Sequence, residues 1–250
     1  MQVAALYRHP IKSHGRESIE HTSLIAGQTM PWDRTWAVTH ARSKFDATHP
    51  KWERCANFMI GVRTPGLAGI WARLDEAEGN ITLTHQNLGD ITLAPLDPES
   101  VARFLRWVTP LCPPERGVPT ALVSAGARGM TDCAYPSVSV MNIASHDAVS
   151  QAAGGALEKE RWRGNIWFDG APAWAEMAWG GQRLRIGDVV LEIRDRIDRC
   201  AHTAANPYTG QRDRDVEGTL ERAFSHRDFG MHAVVVTGGD VTVGDPVRLL

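Results

Sequence analysis

Several features that mark a particular protein class are missing from this chain of 250 residues. Its 27 lysines and arginines face 29 aspartates and glutamates, giving a formal net charge of -2, so no basic excess indicates a nucleic-acid or anionic-membrane partner. No segment reaches the ~18 apolar residues of a membrane span, and the N-terminus MQVAALYRHPIKS lacks the pattern of a secretory signal. We therefore expect a cytoplasmic protein that acts on a small-molecule substrate and has no nucleic-acid or membrane partner.

Cysteine is scarce, and the glycine-rich motifs of nucleotide enzymes are absent. The four cysteines, Cys55, Cys112, Cys133 and Cys200, form no C-x-x-C pair, which argues against a zinc knuckle and a dense disulfide framework. Neither G-x-x-x-x-G-K-[ST] nor a G-x-G-x-x-G after a strand occurs. P-loop and dinucleotide-binding enzymes of those kinds are therefore excluded.

Strand patterns dominate what is present. Most segments alternate polar and apolar residues or are rich in β-branched residues, and Gly-Asp breaks separate several of them as short turns would. Nine strands are predicted, over residues 3–8, 35–40, 69–75, 80–85, 90–96, 182–187, 189–194, 232–238 and 240–250. The pattern predicts a mainly β protein, barrel-like in form, with a few helices mixed into it.

Three helices are predicted. The clearest covers residues 97–108, where Asp97 can cap the helix and Pro98 suits its first turn. A second covers 144–155 with Ser145 as its cap, and a weaker one covers about 216–225. The proline-rich run TPLCPPERGVP follows the first helix, so we expect a boundary between an N-terminal β unit and a C-terminal β/α unit between about residues 95 and 120.

Polar residues gather in a few clusters along this β pattern. The clusters are HPIKSHGRES, PWDRTW, RWRGN and DRCAHTAANPYTG. They contain five basic residues and three small hydrogen-bonding residues: Lys12, Arg34, Arg161, Arg163, Arg199, Ser13, Asn165 and Thr203. Arginine presents a fork of donors that matches a phosphate, and lysine adds a compact charge. If the clusters converge, they form an anion-binding pocket, whereas the alternative is a set of solvated surface arginines.

Cys200 lies among polar residues in the last of these clusters. A cationic surrounding would lower the pKa of its thiol and favour the thiolate, which binds a soft metal or attacks an electrophile. A structural zinc site is disfavoured because the pair Cys200 and His202 has no second pair at ligand spacing. A Cys/His hydrolase stays open because the chain has ten histidines. We interpret the other three cysteines, and the tryptophans between residues 162 and 179, as packing residues.

The clusters resemble the MOSC family, the molybdenum cofactor sulfurase C-terminal domain proteins, in the two-part form. The resemblance rests on YRHPIKSHGRES, PWDRTWAV, RWRGNIWFDGAPAWAEMAWGGQRLRIGDVVLEI, DRCAHTAANPYTG and FGMHAVVVTGGDVTVGDPV, which run in family order over nearly the whole chain. It implies an N-terminal MOSC-associated β-barrel domain over residues 1–100, packed on a MOSC β-barrel domain over residues 101–250.

The same resemblance implies a molybdenum cofactor, Mo-molybdopterin, and assigns a role to each cluster. Cys200 is implied as the catalytic residue and the thiolate ligand of the metal. The implied cofactor-binding residues are Lys12, Ser13, Arg34, Arg163 and Asn165, with Arg199 and Thr203 beside them. The chain departs from the family pattern at Gly164, where proline is frequent, at Ala204, where a second threonine is frequent, and at His14, where cysteine is frequent.

Similarity to the amidoxime-reducing members implies an oxidoreductase that reduces N-hydroxylated or otherwise N-oxygenated compounds. No ferredoxin-like cysteine set or flavin motif is present in the sequence, so the electrons must come from a separate electron-transfer protein. One alternative is a carrier of the cofactor, or a sulfur-transfer protein with a persulfide on Cys200 and no reductase activity. Another is a β-barrel binding module with no redox role.

Overall fold

The computed structural model of the protein describes residues 1–113, 117–126 and 128–250. Within these residues the chain forms fifteen strands and three α-helices, which confirms the predicted mainly β fold. The strands are β1 Gln2–Arg8, β2 Glu17–Ile19, β3 His21–Leu24, β4 Trp36–His40, β5 Trp71–Asp75, β6 Asn80–His85, β7 Gly89–Leu93, β8 Pro119–Ser124, β9 Val138–Asn142, β10 Ile166–Asp169, β11 Arg183–Ile186, β12 Val189–Asp198, β13 Asp228–Thr237, β14 Gly239–Thr242 and β15 Val247–Leu249. The helices are α1 Pro98–Val108, α2 Ile143–Ala152 and α3 Val216–Phe224.

An eight-stranded sheet forms the largest part of the molecule. Its strand order is β15-β11-β12-β13-β9-β10-β1-β2, and its pairs are antiparallel except for the parallel pair of β9 and β10. Alternation places Leu184 and Ile186 of β11 in the core, where they pack with Leu191 and Ile193 of β12. Each fully buried aliphatic side chain of this kind stabilises the fold by about 1.5–3 kcal/mol relative to an exposed one.

A second core lies in the N-terminal part. Strands β5, β6 and β7 form an antiparallel three-stranded sheet, and Phe104 and Val108 of α1 pack with Ile81, Leu83 and Leu93 from that sheet. Two further ribbons pair β4 with β8 and β3 with β14.

The N-terminal and C-terminal parts share strands. Strands β1 and β2 belong to the eight-stranded sheet, and β3 pairs with β14 near the end of the chain. The two parts therefore pair directly through main-chain hydrogen bonds as well as through packing. The division into domains at about residue 100 stays a prediction.

Two of the predicted elements differ in detail. Asp97 caps α1 as predicted, since its carboxylate accepts from Glu99 N and Ser100 N. The predicted cap of the second helix is wrong, because Asn142 caps α2 by accepting from Ala144 N, and Ser145 instead donates to Glu176 at 2.7 Å inside the core. The single strand predicted over 240–250 is two strands, β14 and β15, because Gly244 turns the chain between them with a φ of 96°.

The structure also contains strands that the alternation did not indicate: β2, β3, β8, β9 and β10. Every residue of β9 is buried, and a strand buried on both faces has no polar and apolar alternation. The longest α-helix in the described ranges has 11 residues, and no helix there is long and apolar enough to cross a bilayer.

Candidate functional site

A cavity of about 360 Å³ lies where the polar clusters meet. Seven of the eight residues predicted for the site line it: Lys12, Ser13, Arg34, Arg163, Arg199, Cys200 and Thr203. These residues come from four separate segments of the chain. A volume of this size is within the usual range for a small-molecule or cofactor pocket.

Three of the lining residues have a strained backbone. Ser13, Arg34 and Arg163 have φ values of 63°, 54° and 51°, in the left-handed region that costs a residue with a side chain about 1–2 kcal/mol. The main chain fixes two of them, because Arg34 N donates to His9 O at 2.6 Å and Arg163 N donates to Glu160 O at 3.2 Å. Strained residues that cluster around one cavity are typical of a ligand site.

Arg34 has a buried counter-ion. Its Nη1 donates to the carboxylate of Asp33, which also accepts from His9 N at 2.8 Å. Burial opposes ionisation of Asp33, but the Arg34 charge and His9 more than offset it and hold the pKa of Asp33 below its ordinary value. Arg34 Nη2 donates to Arg163 O at 3.1 Å. The side chain therefore also supports the backbone turn at Arg163.

Lys12 is also paired with a carboxylate. Its Nζ donates to Met130 O at 2.7 Å and to Asp132 Oδ1, which in turn accepts from Cys55 Sγ at 3.1 Å. Asp132 keeps 61% of its side chain accessible. The cavity wall partly desolvates its carboxyl, but the charges of Lys12 and Arg34 hold the pKa of Asp132 below its ordinary value. Burial, together with the Asp132 charge, raises the pKa of the Cys55 thiol to about 11. Cys55 is therefore a neutral hydrogen-bond donor near pH 7.

Sequence reasoning missed Asp132 and treated Cys55 as a packing residue, although both line the cavity. The contact between Lys12 and Asp132 spans 120 positions of the chain. No local pattern in the sequence could have indicated it.

Arg163 and Arg199 are buried without a carboxylate partner among the described residues. Arg163 Nη1 donates to Gly15 O at 3.1 Å, while its Nη2 is buried and has no hydrogen-bond partner there. Burial and the neighbouring Arg34 and Arg16 charges hold the pKa of Arg163 well below its ordinary value. A buried cation with an unused donor is costly unless an anion binds it.

Arg199 is held by main-chain oxygens and aromatic rings. Its Nε donates to Phe229 O at 2.9 Å and its Nη1 donates to Trp162 O at 2.8 Å. The guanidinium lies 5.5 Å from the ring centre of Trp162 and 5.7 Å from that of Phe229. Burial lowers the pKa of Arg199 to about 10. It therefore remains charged near pH 7 and adds a second positive charge without a carboxylate partner.

Arg161 and Thr203 stabilise the loop that carries Cys200. Arg161 pairs with Glu158 at 2.6 Å and with Asp213 at 2.8 Å, and its Nη1 donates to Thr203 O at 3.3 Å. Thr203 Oγ1 donates to Cys200 O at 3.1 Å. Arg161 is thus balanced by carboxylates, and it contributes loop structure more than free positive charge.

Cys200 is exposed as a residue and lines the cavity. Packing against the cavity wall partly desolvates its thiol and raises its pKa, and the main-chain N–H of His202 and the charge of Arg199 offset this only in part. The predicted lowering of this pKa is therefore wrong for the chain by itself. The thiol is accessible, but it is protonated near pH 7 unless a bound cation displaces the proton.

Asn165 does not line the cavity, in contrast to the other predicted residues. It is buried, its Oδ1 accepts from Ser139 Oγ at 2.8 Å, and its Nδ2 donates to Tyr7 O at 3.3 Å. Its side-chain amide is therefore occupied by hydrogen bonds that join β1 to β9. Ser139, the β9 residue that it contacts, does line the cavity.

Two histidines that the sequence did not single out also line the cavity, His202 and His232. Burial and nearby arginine charges lower their pKa values, to about 3 for His202 and about 4 for His232. Each has a buried Nδ1 with no hydrogen-bond partner in the part of the chain that the structure describes. The position of His202, two residues after Cys200, was the one available signal.

Two departures from the family pattern have a local setting in the structure. At Gly164 an added Cβ would lie 2.4 Å from Cγ of Met141, so a larger residue there requires a different side chain at position 141. His14 is fully buried, and its Nδ1 lies 2.7 Å from Lys12 O. It therefore supports the turn that carries Lys12 and Ser13.

No group of three or more histidine, cysteine, aspartate or glutamate side chains is placed to hold a metal ion within residues 1–113, 117–126 and 128–250. Among the described residues Cys200 therefore belongs to no group of three such side chains. The site combines a thiol with two buried positive charges, rather than a cage of protein ligands.

Comparison with known proteins gives matches over most of the chain. The family described as MOSC domain matches residues 132–248, and the family described as MOSC N-terminal beta barrel domain matches residues 1–103. A curated relative, mitochondrial amidoxime-reducing component 1 from Homo sapiens, is 34% identical over 112 residues, which cover 38% of this chain and 32% of that protein. The match thus spans about a third of the relative's length.

Solved structures give weaker likenesses. The YuaD protein from Bacillus subtilis has a TM-score of 0.48 and 11% identity, covering 99% of this chain and 94% of that one. YiiM from Geobacillus stearothermophilus has a TM-score of 0.36 and 12% identity over 45% of this chain and 53% of that one. The two family matches, which follow one another along the sequence, identify the protein: the chain belongs to the MOSC domain family, in the two-part form with an N-terminal MOSC β-barrel domain.

Proposed function

We propose that the cavity binds a molybdenum cofactor and that the protein is an oxidoreductase that reduces N-hydroxylated or N-oxygenated compounds. The observation that carries the proposal is the pair of buried guanidinium groups, Arg163 and Arg199, which lack carboxylate partners among the described residues and share a cavity with Cys200. Two uncompensated positive charges match the charge of a phosphate monoester. A thiol in the same cavity suits a soft metal.

The residues present fit such a cofactor. Arg163 offers a buried Nη2 that has no partner in the described part of the chain, and Arg199 adds its charge to the same cavity. Lys12, Ser13 and Arg34 would complete the polar wall, and Cys200 would be the metal ligand. When bound, the cofactor supplies a metal centre that exchanges two electrons with the substrate.

The protein contributes binding, orientation and access. Cys200 is exposed towards the cavity, so a substrate can reach the metal side of the site. Its raised pKa means that metal binding must release the thiol proton. Thr203 and Arg161 hold the loop around Cys200. In this assignment residues 1–100 form the N-terminal domain and residues 101–250 form the MOSC domain, and both contribute to the wall.

The human relative is named an amidoxime-reducing component, and this supports the reaction class. Reduction of an N-hydroxyl group consumes two electrons and two protons, breaks the N–O bond and releases water. The four cysteines of the chain are far apart in the sequence, which is unsuited to an iron–sulfur cluster. We therefore propose that a separate electron-transfer protein supplies the electrons.

The test uses protein from a host that makes the cofactor. Wild-type protein with a chemical reductant should convert an amidoxime to the amidine, and Cys200→Ser should lose this turnover and the thiolate spectral signature of the metal while remaining folded. Cys112→Ser is the matched control, because Cys112 lies outside the cavity. A metal-loaded wild type that turns over no substrate in a panel of N-hydroxylated compounds would favour the cofactor carrier or sulfur-transfer protein instead.

A further inference from the structure

Gly61 and His202 contact each other unusually closely. A Cβ added to Gly61 would lie 1.8 Å from Nδ1 and 2.3 Å from Cε1 of His202. Real Cβ atoms do not approach other atoms so closely, so the histidine ring occupies the space that a side chain at position 61 would need. Gly61 has no left-handed φ, so this close approach alone accounts for glycine at that position.

The same histidine is part of the turn that carries Cys200. Thr203 N donates to Cys200 O at 3.1 Å and Ala205 N donates to His202 O at 3.0 Å. The main-chain N–H of His202 also favours the ionised form of the Cys200 thiol and partly offsets the rise in its pKa. The turn is therefore compact, and a displacement of His202 would be passed on directly to the thiol.

The segment around Gly61 contacts the Cys200 loop at a second point. Arg212, beyond the turn, donates from its Nη2 to Val62 O at 2.6 Å. Gly61 and Val62 both line the cavity, as do Cys200, His202 and Thr203. The segment around Gly61 thus contacts the chain that follows Cys200 at two points, the ring of His202 and the guanidinium of Arg212.

We propose that His202 is a positioning residue for Cys200: its ring packs against Gly61 and fixes the turn so that the thiol faces the cavity. The role of Cys200 as a metal ligand rests on the proposed function, whereas the contact between the ring and the glycine does not. The buried Nδ1 has no hydrogen-bond partner in the described residues. The main chain of Gly61 also favours the protonated form of the ring, but burial outweighs this and keeps the pKa of His202 low. The neutral ring therefore acts mainly by its shape, and an aromatic ring without that nitrogen should replace it.

The primary test is hydrogen exchange of the amides in residues 200–205, in cofactor-free protein at pH 7. His202→Ala removes the ring and Gly61→Ala pushes it away, so each should make these amides exchange about tenfold faster or more. In the double variant the new methyl group enters the space left by the ring. The double variant should therefore exchange no faster than His202→Ala alone.

Two further variants test the shape of the ring and control for the glycine substitution. His202→Phe keeps a flat ring and should restore slow exchange if the shape of the ring is what matters. Gly155→Ala is the control for glycine substitution, since an added Cβ there meets nothing within 4 Å, and it should leave exchange at residues 200–205 unchanged. Should His202→Ala fail to fold, Gly61→Ala compared with wild type still decides the question. Should Gly61→Ala fail instead, His202→Ala compared with His202→Phe decides it.

Unchanged exchange in His202→Ala, or additive effects in the double variant, would overturn the proposal. Molybdenum retention is measured in parallel on protein from a host that makes the cofactor, where His202→Ala should retain less metal than wild type and His202→Phe should retain more than His202→Ala. A wild type that binds no molybdenum contradicts the proposed function but leaves the exchange result valid. The two failures are therefore distinguishable.

Discussion

Arg34 and Arg163 line the same cavity with similar burial, but their surroundings differ in one respect. Arg34 is paired with Asp33 inside the protein, whereas the Arg163 side chain has, among residues 1–113, 117–126 and 128–250, only the carbonyl of Gly15 as a partner and an unused Nη2. The first arginine is balanced in the folded chain by itself, and the second is not. Arg34 therefore supports the fold, and under the proposed function Arg163 is the arginine that binds the anion of the ligand.

The largest expected effect comes from breaking the balanced pair. Asp33→Asn leaves the Arg34 charge buried without its counter-ion, and we expect a loss of about 3–5 kcal/mol in the free energy of unfolding, typical for removing one partner of a buried pair. Urea denaturation measures it. Asp90→Asn is the control, because Asp90 is exposed on β7, and a loss of similar size in both variants would contradict the structural role of Asp33.

The unbalanced arginine should behave in the opposite way. Arg163→Met removes a buried charge that lacks a partner, so the cofactor-free protein should lose no stability. Retention of the cofactor should fall by about 10- to 100-fold, because a charged hydrogen bond contributes about 1.5–3 kcal/mol. Thermal unfolding of cofactor-free protein and the rate of cofactor loss on dialysis separate the two effects.

Arg103→Met, on the exposed face of α1, is the control for the loss of a positive charge and should change neither quantity. If Arg163→Met destabilised the cofactor-free protein as strongly as Asp33→Asn does, the distinction between the two arginines would be lost.

Acid should lower the free energy of unfolding through His14, which supports the turn that carries Lys12. Burial lowers the pKa of His14 to about 4, below the value of about 6.5 in an unfolded chain. The unfolded state therefore takes up the proton first, so stability is full above pH 6.5 and decreases as the pH falls from about 6.5 to about 4. His14→Gln should show a smaller decrease in the free energy of unfolding between pH 7 and pH 5.

Unfolding in urea at several pH values measures this difference. His49→Gln is the control, because His49 is exposed with 86% of its side chain accessible. An identical pH slope in wild type and His14→Gln would exclude His14 as a source of the acid sensitivity.

The smallest effect is expected at the second thiol of the cavity. Cys55 is a neutral donor to Asp132, and serine keeps that donor, so Cys55→Ser should change stability by about 0.5 kcal/mol or less and should retain the metal. Metal analysis after gel filtration checks it. Loss of metal in Cys55→Ser would make Cys55 a metal ligand, a role proposed for Cys200 alone.

Local patterns predicted much of the fold. The cap of α1 by Asp97 and the strand β6 follow from a few adjacent residues, and the structure has them as predicted. Strand β9 was missed because burial on both faces removes the alternation that marks a strand. The cap of α2 was placed at the wrong residue because Asn142 and Ser145 are both good caps, and only the contact of Ser145 with Glu176 decides between them.

The candidate site was predictable in its residue types but not in its pairings. Clusters of basic and small polar residues indicated a pocket, and seven of its eight predicted members line one cavity. The ion pair of Lys12 with Asp132 and the contact of Gly61 with His202 join residues that are more than 100 positions apart. The pKa of Cys200 depends on burial, which the sequence around it does not show.

The most direct measurement is the content of molybdenum and of organic phosphate per chain, in wild-type protein and Cys200→Ser purified from a host that makes the cofactor. About one of each is expected per wild-type chain, with loss of the metal or of its thiolate signature in Cys200→Ser while the fold stays intact. Wild-type protein without molybdenum, or an unchanged metal content and spectrum in Cys200→Ser, would contradict the proposed cofactor site.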